Sequence, residues 1–262
     1  MTILQIIVLA VIQGISEFLP ISSSGHLVLT PIIFGWQDQG LTLDVAVHLG
    51  TLGAVIFFLR DEIRKITFGL KDLTKGQLND GAKLAGYVTI SSIPVLLGGA
   101  TIAFIGNDIF RQTEIIGWAF IVFALALYAG DHIGANARSI SDMKIKDAIL
   151  IGVFQAFALI PGASRSGTTI TMARMLGYER REAARFSMLL AIPAILGAGA
   201  VIGFKLVYGD NEIFHFQLLL ATFIAFITAI LAMHLMIKWL QNQTFTPFVF
   251  YRIVLGVIIL TI

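Results

Sequence analysis

Gln13, Glu17, Ser22, Ser23, Ser24, Gly25 and His26 fall within fourteen residues of an otherwise apolar stretch, and Ser164, Arg165, Ser166, Gly167 and Thr168 form a second polar cluster far downstream. Gln13 and Glu17 are four apart, so on a helix both project from one face. Pro20 ends that helix, the small residues Ser22 to Gly25 turn the backbone, and a second helix starts near His26. The serines then sit at a helix N-terminus, where free N–H groups and the positive end of the dipole favour an anion, most often phosphate. Arg165 cannot shed its charge, and its planar fork matches two phosphate oxygens. It demands an anionic partner, either a phosphate or Glu17. Ser166, Gly167 and Thr168, with successive N–H groups after Arg165, make an anion nest, though the turn lacks the Gly-Lys-Ser/Thr ending of a P-loop. Caps and turns around a ligand-free Arg165–Glu17 ion pair are the plainer reading. Against it, ionisable residues at membrane depth are functional by default. Asp44 and His48, four apart, read equally as a hydrogen-bonded pair and as contributors to chemistry, and His132, His215 and His234 read as loop or helix-end residues.

What must position these groups follows from composition. Of 262 residues, 57% are hydrophobic and 13% charged, too little polar surface to enclose a water-soluble globule. Lipid is the solvent. A net charge of +2 gives no argument for nucleic acid, and the absence of cysteine removes disulfides, thiolate metal sites and a cysteine nucleophile. No basic residue precedes the first apolar run, so the start of the chain reads as mature sequence and not as a secretory signal. Six runs are expected to span the membrane as helices: 41–59, 84–105, 115–130, 183–204, 216–239 and 248–262, the third and last being short. Residues 2–13 and 148–161 are too short to cross, since 14 residues reach only ~21 Å. Each ends in one of the polar clusters and is followed by another short apolar run, which reads as a re-entrant hairpin. Irregular backbone at that depth needs protein or a water-filled cavity around it.

Segments 60–83, 131–147 and 174–185 carry six, three and four Lys/Arg, against one each in 106–114 and 205–215, which places the first three in the cytoplasm. The first hairpin then opens to the exterior and the second to the cytoplasm, each followed by three spans. Gln13, Ser22, Ser24 and Gly25 reappear as Gln155, Ser164, Ser166 and Gly167 at a constant offset of 142. The expected fold is therefore all-α: a polytopic membrane protein with six transmembrane helices and two re-entrant helical hairpins in an inverted-topology repeat. Residues 1–130 form the first half (hairpin 1–40), 131–147 a cytoplasmic linker and 148–262 the second half (hairpin 148–182). Such repeats also characterise transporters, which keeps a transporter or lipid flippase as the rival to an enzyme. A purely structural scaffold is a third reading. The run Ile-Pro-x-x-Leu-Gly occurs at Ile93 and at Ile192, an offset of 99 that does not belong to the repeat. The glycine-rich run 183–204 is the expected face of a homodimer.

The string Gln13-Gly14-x-x-Glu17-Phe18-Leu19-Pro20-x-Ser22-Ser23-Ser24-Gly25-His26, with Pro161-Gly162-x-Ser164-Arg165-Ser166-Gly167 downstream, resembles the bacterial undecaprenyl-diphosphate phosphatase family over essentially the whole chain. The resemblance implies a multi-pass enzyme of the bacterial inner membrane that removes one phosphate from undecaprenyl diphosphate, recycling the lipid carrier of peptidoglycan synthesis and lowering sensitivity to bacitracin. It implies Glu17, Ser23, His26 and Arg165 as essential residues, with Ser22, Ser24, Gly25, Ser164, Ser166, Gly167 and Thr168 as the phosphate cradle. Many members carry glutamate where this chain has Gln13. That leaves Glu17 alone, with diphosphate oxygens, as the expected ligand of Mg²⁺ or Ca²⁺, and Gln13 as a supporting residue of the site. Ser23 is the expected nucleophile with His26 as general base or acid and Glu17 orienting His26 or the cation; water activated by His26, or a phosphohistidine, are the alternatives. The site is expected to be reached from the external face, by a polyprenyl diphosphate among membrane lipids.

Overall fold

The computed structural model describes residues 1–105, 112–207 and 215–261, and among these the chain is a bundle of helices. In order they are α1 (Ile3–Ser16), α2 (Ser23–Phe34), α3 (Gly40–Phe58), α4 (Arg60–Leu73), α5 (Asp80–Ile105), α6 (Thr113–Ile133), α7 (Ile145–Ala156), α8 (Arg165–Met175), α9 (Arg180–Val207), α10 (His215–Trp239) and α11 (Thr246–Thr261). Helices α3, α5, α6, α9 and α10 are long and apolar enough to cross a membrane. At 16 residues α11, expected as a short sixth span, reaches only ~24 Å and falls among the shorter apolar helices with α1 and α2. The protein is an all-α polytopic membrane protein. The weakly basic connections 106–114 and 205–215 lie in large part outside the described residues.

Helices α1 and α7, with 14 and 12 residues, are each too short to span, and each folds back through a polar turn into α2 or α8. Six of the helix pairings are reciprocal. α3 packs on α10 and α9 on α5; α1 packs on α10 and α7 on α5; α6 packs on α11, and α3 on α9. Exchanging α1, α3, α5 and α6 for α7, α9, α10 and α11 returns the same set of pairs.

Close helix approach relies on small residues at the contacts. A Cβ on Gly50 of α3 would collide with the Thr222 carbonyl oxygen of α10, whereas one on Gly53 would meet only the Phe226 ring at 3.4 Å. Gly50→Val is therefore expected to cost about 2 kcal/mol through overpacking, and Gly53→Ala close to nothing. Thermal unfolding of the two variants in detergent checks this; equal midpoints would contradict it.

Three elements differ from the sequence-based expectation. Residues 60–73, expected as a loop, form α4, whose Ile63 and Ile66 pack against the core while Phe68, Leu70 and Leu73 stay exposed. Such an amphipathic helix suits the membrane interface. Arg174, expected among loop charges, is wholly buried at the end of α8. Helix α9, the expected dimer face, is central: Ala183, Ala184, Phe186, Met188, Leu189 and Leu190 lie in the main apolar core. The two Ile-Pro-x-x-Leu-Gly runs also find their reason here. They sit on the packed helices α5 and α9, where a Cβ on Gly197 would run into Leu96, so they mark a contact between helices and not a repeat position. In the linker the Ser139 backbone N–H and hydroxyl hold the Asp142 carboxyl below its ordinary range, fixing a short 3-10 turn at Ile140–Asp142.

Candidate active site

Both turns are built alike. Ser22 caps α2 with φ 73° and Ser164 caps α8 with φ 72°; each hydroxyl accepts the N–H of the glycine three residues on, Gly25 at 3.4 Å and Gly167 at 3.1 Å. Positive φ on a non-glycine residue costs on the order of 1–3 kcal/mol and persists only where the surroundings dictate it. Its recurrence at the two repeat positions is structural support for the offset of 142. The cap at Ser22 also explains why α2 begins at Ser23, before His26, and Glu17 forms the C-cap of α1. Ser23 and Ser24, like Arg165 and Ser166, occupy the first two helical positions, whose N–H groups have no partner within a helix.

The turns touch. Glu17 Oε1 accepts from Arg165 Nη2 at 2.8 Å, Ser166 Oγ donates to the Leu19 carbonyl at 2.8 Å, and Arg252 Nη1 donates to the Pro20 carbonyl at 3.3 Å. The other Glu17 oxygen accepts from Ser23 Oγ at 2.6 Å and from Gln13 Nε2 at 3.0 Å. Glu17 is 8% exposed, so its charge is held by these donors and not by solvent. Arg165 is anchored from the far side by the Ser187 carbonyl, 2.8 Å from Nη1.

Chemically, the contact of Ser23 with Glu17 is that of a hydroxyl and its proton acceptor. This reassigns a role. Of the two roles expected for Glu17, orienting His26 or orienting the cation, the first has no contact behind it, because its oxygens go to Ser23, Gln13 and Arg165. His26 is instead held by the Ser22 carbonyl at Nδ1, 2.7 Å, and by the Tyr251 hydroxyl at Nε2, 2.6 Å, and lies parallel to the Tyr251 ring. A carbonyl only accepts, so Nδ1 carries the proton and Nε2 is the basic nitrogen.

Exposure separates the expected phosphate cradle into two groups. Ser24 is exposed, and Ser23, His26 and Arg165 are half-buried, while Ser22, Gly25, Ser164, Ser166, Gly167 and Thr168 are buried. The hydroxyls of the second set are committed inside the protein: Thr168 Oγ1 donates to the Arg165 carbonyl at 3.0 Å, and Ser164 Oγ lies 3.1 Å from Ser166 Oγ. They shape the turn that presents Arg165 and the helix N–H groups. Gln13 and its repeat mate Gln155 are both wholly buried, and the side-chain oxygen of each has no hydrogen-bond donor.

Three residues at or beside the site escaped the sequence reading, and His48, read there only as one of a pair with Asp44, lies beside Glu17. Its Nδ1 meets the Asp44 carbonyl at 2.6 Å, which turns Nε2 toward Glu17 Oε2 at 3.9 Å. Tyr251, Arg252 and Ser187 lie in helices read only as spans. Of these Arg252 alone carried a readable signal, an ionisable residue inside an apolar run.

Comparison with known proteins gives a consistent answer. Residues 6–258 match the family described as bacitracin resistance protein BacA. An undecaprenyl-diphosphatase of Ruegeria pomeroyi is 44% identical, covering 100% of this chain and 99% of that protein. Those of Roseobacter denitrificans and Alteromonas mediterranea are 45% and 41% identical, each over 99% of this chain and 98% of the relative.

Proposed function

Because the chain belongs to the bacitracin resistance protein BacA family, we propose that it is an integral membrane phosphatase that hydrolyses undecaprenyl diphosphate to undecaprenyl phosphate and inorganic phosphate. The observation that carries the chemistry is the Ser23 hydroxyl, 2.6 Å from a buried Glu17 and beside Arg165, at the meeting of two helix N-termini. The relatives' names give no support to the transport reading.

Ser23 Oγ attacks the terminal phosphorus and passes its proton to Glu17 Oε2, while the bond from that phosphorus to the bridging oxygen breaks and undecaprenyl phosphate leaves with the oxygen. Arg165 turns from Glu17 to the transferring phosphoryl, where charge develops, and the first-turn N–H groups of α2 and α8 supply further donors. Water then cleaves the phosphoserine and returns the hydroxyl to Ser23. His26, basic at Nε2 and supported by Tyr251, is placed to take a proton from that water.

Mg²⁺ or Ca²⁺ belongs to the proposal. The Gln13 side-chain oxygen is a buried acceptor without a donor, and with Glu17 it offers one amide and one carboxylate oxygen, a set that fits a cation drawing its other ligands from diphosphate and water. Such a cation would neutralise charge on the diphosphate. A bacterial inner-membrane location, access from the external face and the division into residues 1–130, 131–147 and 148–262 are part of the same reading, supported by the basic segments and by exposure at Ser24. So is a homodimer, for which the outer part of α9, where a Cβ on Gly199 meets nothing, is the remaining small-residue surface.

Purified protein in detergent is expected to release inorganic phosphate from a polyprenyl diphosphate. No release with Mg²⁺, with Ca²⁺ or with neither would overturn the assignment.

A further inference from the structure

Arg252 is the seventh residue of α11, about 9 Å along that helix, and is 0% exposed. Its guanidinium meets only carbonyls at hydrogen-bonding distance: Pro20 at 3.3 Å from Nη1, and Gly162 at 2.9 Å, Ala163 at 3.0 Å and Ala119 at 3.5 Å from Nη2. The Phe120 ring lies 5.8 Å away, and Nε has no partner. Among the described residues no carboxylate pairs with it. Arg174, equally buried, shows the usual arrangement, with Asp131 at 2.9 Å. A permanent cation buried without a counter-ion is costly, and carbonyl dipoles offset only part of that cost.

Its place tells what the missing anion is. Pro20 lies two residues before Ser22, and Gly162 and Ala163 immediately precede Ser164, so one side chain grips carbonyls just ahead of both strained caps. A Cβ on Gly167, in the first turn of α8, would lie 2.7 Å from Nη1. The guanidinium thus sits directly behind both N-termini. In front of them, Glu17 and Arg165 neutralise each other, which leaves one buried positive charge at the junction.

We propose that Arg252 is a positioning residue for the phosphatase reaction: it fixes the two turns in register, and its uncompensated charge is neutralised through the turns by the diphosphate bound in front of them. The inference rests on the activity proposed above. It does not require Arg252 to touch substrate. Charge and hydrogen bonding are separable, because lysine keeps the cation but cannot reproduce the fork over four carbonyls, while glutamine keeps a donor and loses the charge.

The test uses the full chain in detergent with inorganic pyrophosphate as the probe, read as a competitive inhibitor of phosphate release and by thermal shift. Arg252→Gln is expected to weaken pyrophosphate inhibition and raise KM at least tenfold. Arg252→Lys should stay within threefold of wild type in both, the loss of the fork showing instead as a lower kcat. Pyrophosphate should raise the unfolding temperature of wild type and of the lysine variant. A glutamine variant with the wild-type inhibition constant, or a folded lysine variant impaired as much as glutamine, would overturn the proposal. If neither variant folds, the wild type decides: an active enzyme whose unfolding temperature pyrophosphate leaves unchanged has no unmet need for an anion, and the proposal fails. Wild-type protein that binds pyrophosphate yet releases no phosphate from polyprenyl diphosphate would sink the activity and leave the charge argument standing.

Discussion

Ser23→Ala is expected to lower kcat for phosphate release roughly a thousandfold or more, with little change in unfolding temperature, because removing a nucleophile typically has effects of that order or larger. The observation behind this is the 2.6 Å contact of its hydroxyl with Glu17 and its half-buried position at the start of α2. Ser22 and Ser24 make useful contrasts. Ser22 is buried and caps the helix, so Ser22→Ala acts on the turn and its strained φ, whereas Ser24 is exposed, with only Ser22 Oγ near its hydroxyl at 3.4 Å. Only the nucleophile's loss should abolish a phosphoenzyme. Trapping of labelled phosphate on wild-type protein and its absence in Ser23→Ala is the decisive reading; an alanine variant that turns over near the wild-type rate would assign the attack to water or to His26.

Much of the site was legible because depth makes polar residues conspicuous. A carboxylate, a histidine and an arginine within short apolar segments already required one another, and the structure supplies the Arg165–Glu17 pair at 2.8 Å. The repeat was legible for a similar reason: Ser22 and Ser164 perform the same strained cap, and the local chemistry of a cap is written in adjacent residues. What sequence could not reach were partners brought in by packing. His48 turns to Glu17 only because its other nitrogen bonds one helical turn back, and Tyr251 meets His26 across 225 residues. Helix α4 was missed for a different reason. Its charges drew attention to orientation, while Ile63, Ile66, Leu70 and Leu73 were spacing an amphipathic helix within the same stretch. Reading charge before periodicity turned a helix into a loop.

The cradle shows where residue type alone misleads. Serine, threonine and glycine read as phosphate ligands in both turns, yet Ser164, Ser166 and Thr168 spend their hydroxyls on Gly167, Leu19 and Arg165. The reason is the repeat itself. Two copies of one turn face each other, but only the first carries Glu17 and His26; at the offset of 142 the second has Leu159 and Thr168 in their place, neither of which can act as a base. On the proposed mechanism one copy supplies the chemistry, and the other supplies the scaffold and its arginine.

Asp131→Asn is expected to destabilise the folded protein by about 3–5 kcal/mol, the usual consequence of removing one member of a buried ion pair. Asp131 is 1% exposed; Oδ1 accepts from Arg174 Nε at 2.9 Å and Arg180 Nε at 2.8 Å, and Oδ2 accepts the Phe245 N–H at 3.1 Å. These contacts tie the end of α6 to the end of α8, the start of α9 and the turn into α11. Arg174 is the reason for the size of the effect. It is 0% exposed and remains charged when its carboxylate becomes an amide, so the variant must bury a cation whose other partners, Asn136 and the Asp131, Gly134 and Tyr178 backbone oxygens, are neutral. Arg180 is half-buried and can turn to solvent, and its loss should matter less. Pairing Asp131→Asn with Arg174→Met removes the stranded charge, so the double variant should recover part of the loss instead of adding to it. Thermal unfolding in detergent checks both statements, with a fall of roughly 10 °C expected for the single variant. A single variant within about 0.5 kcal/mol of wild type, the range of ordinary surface changes, would show that the cluster is not what holds these helix ends together.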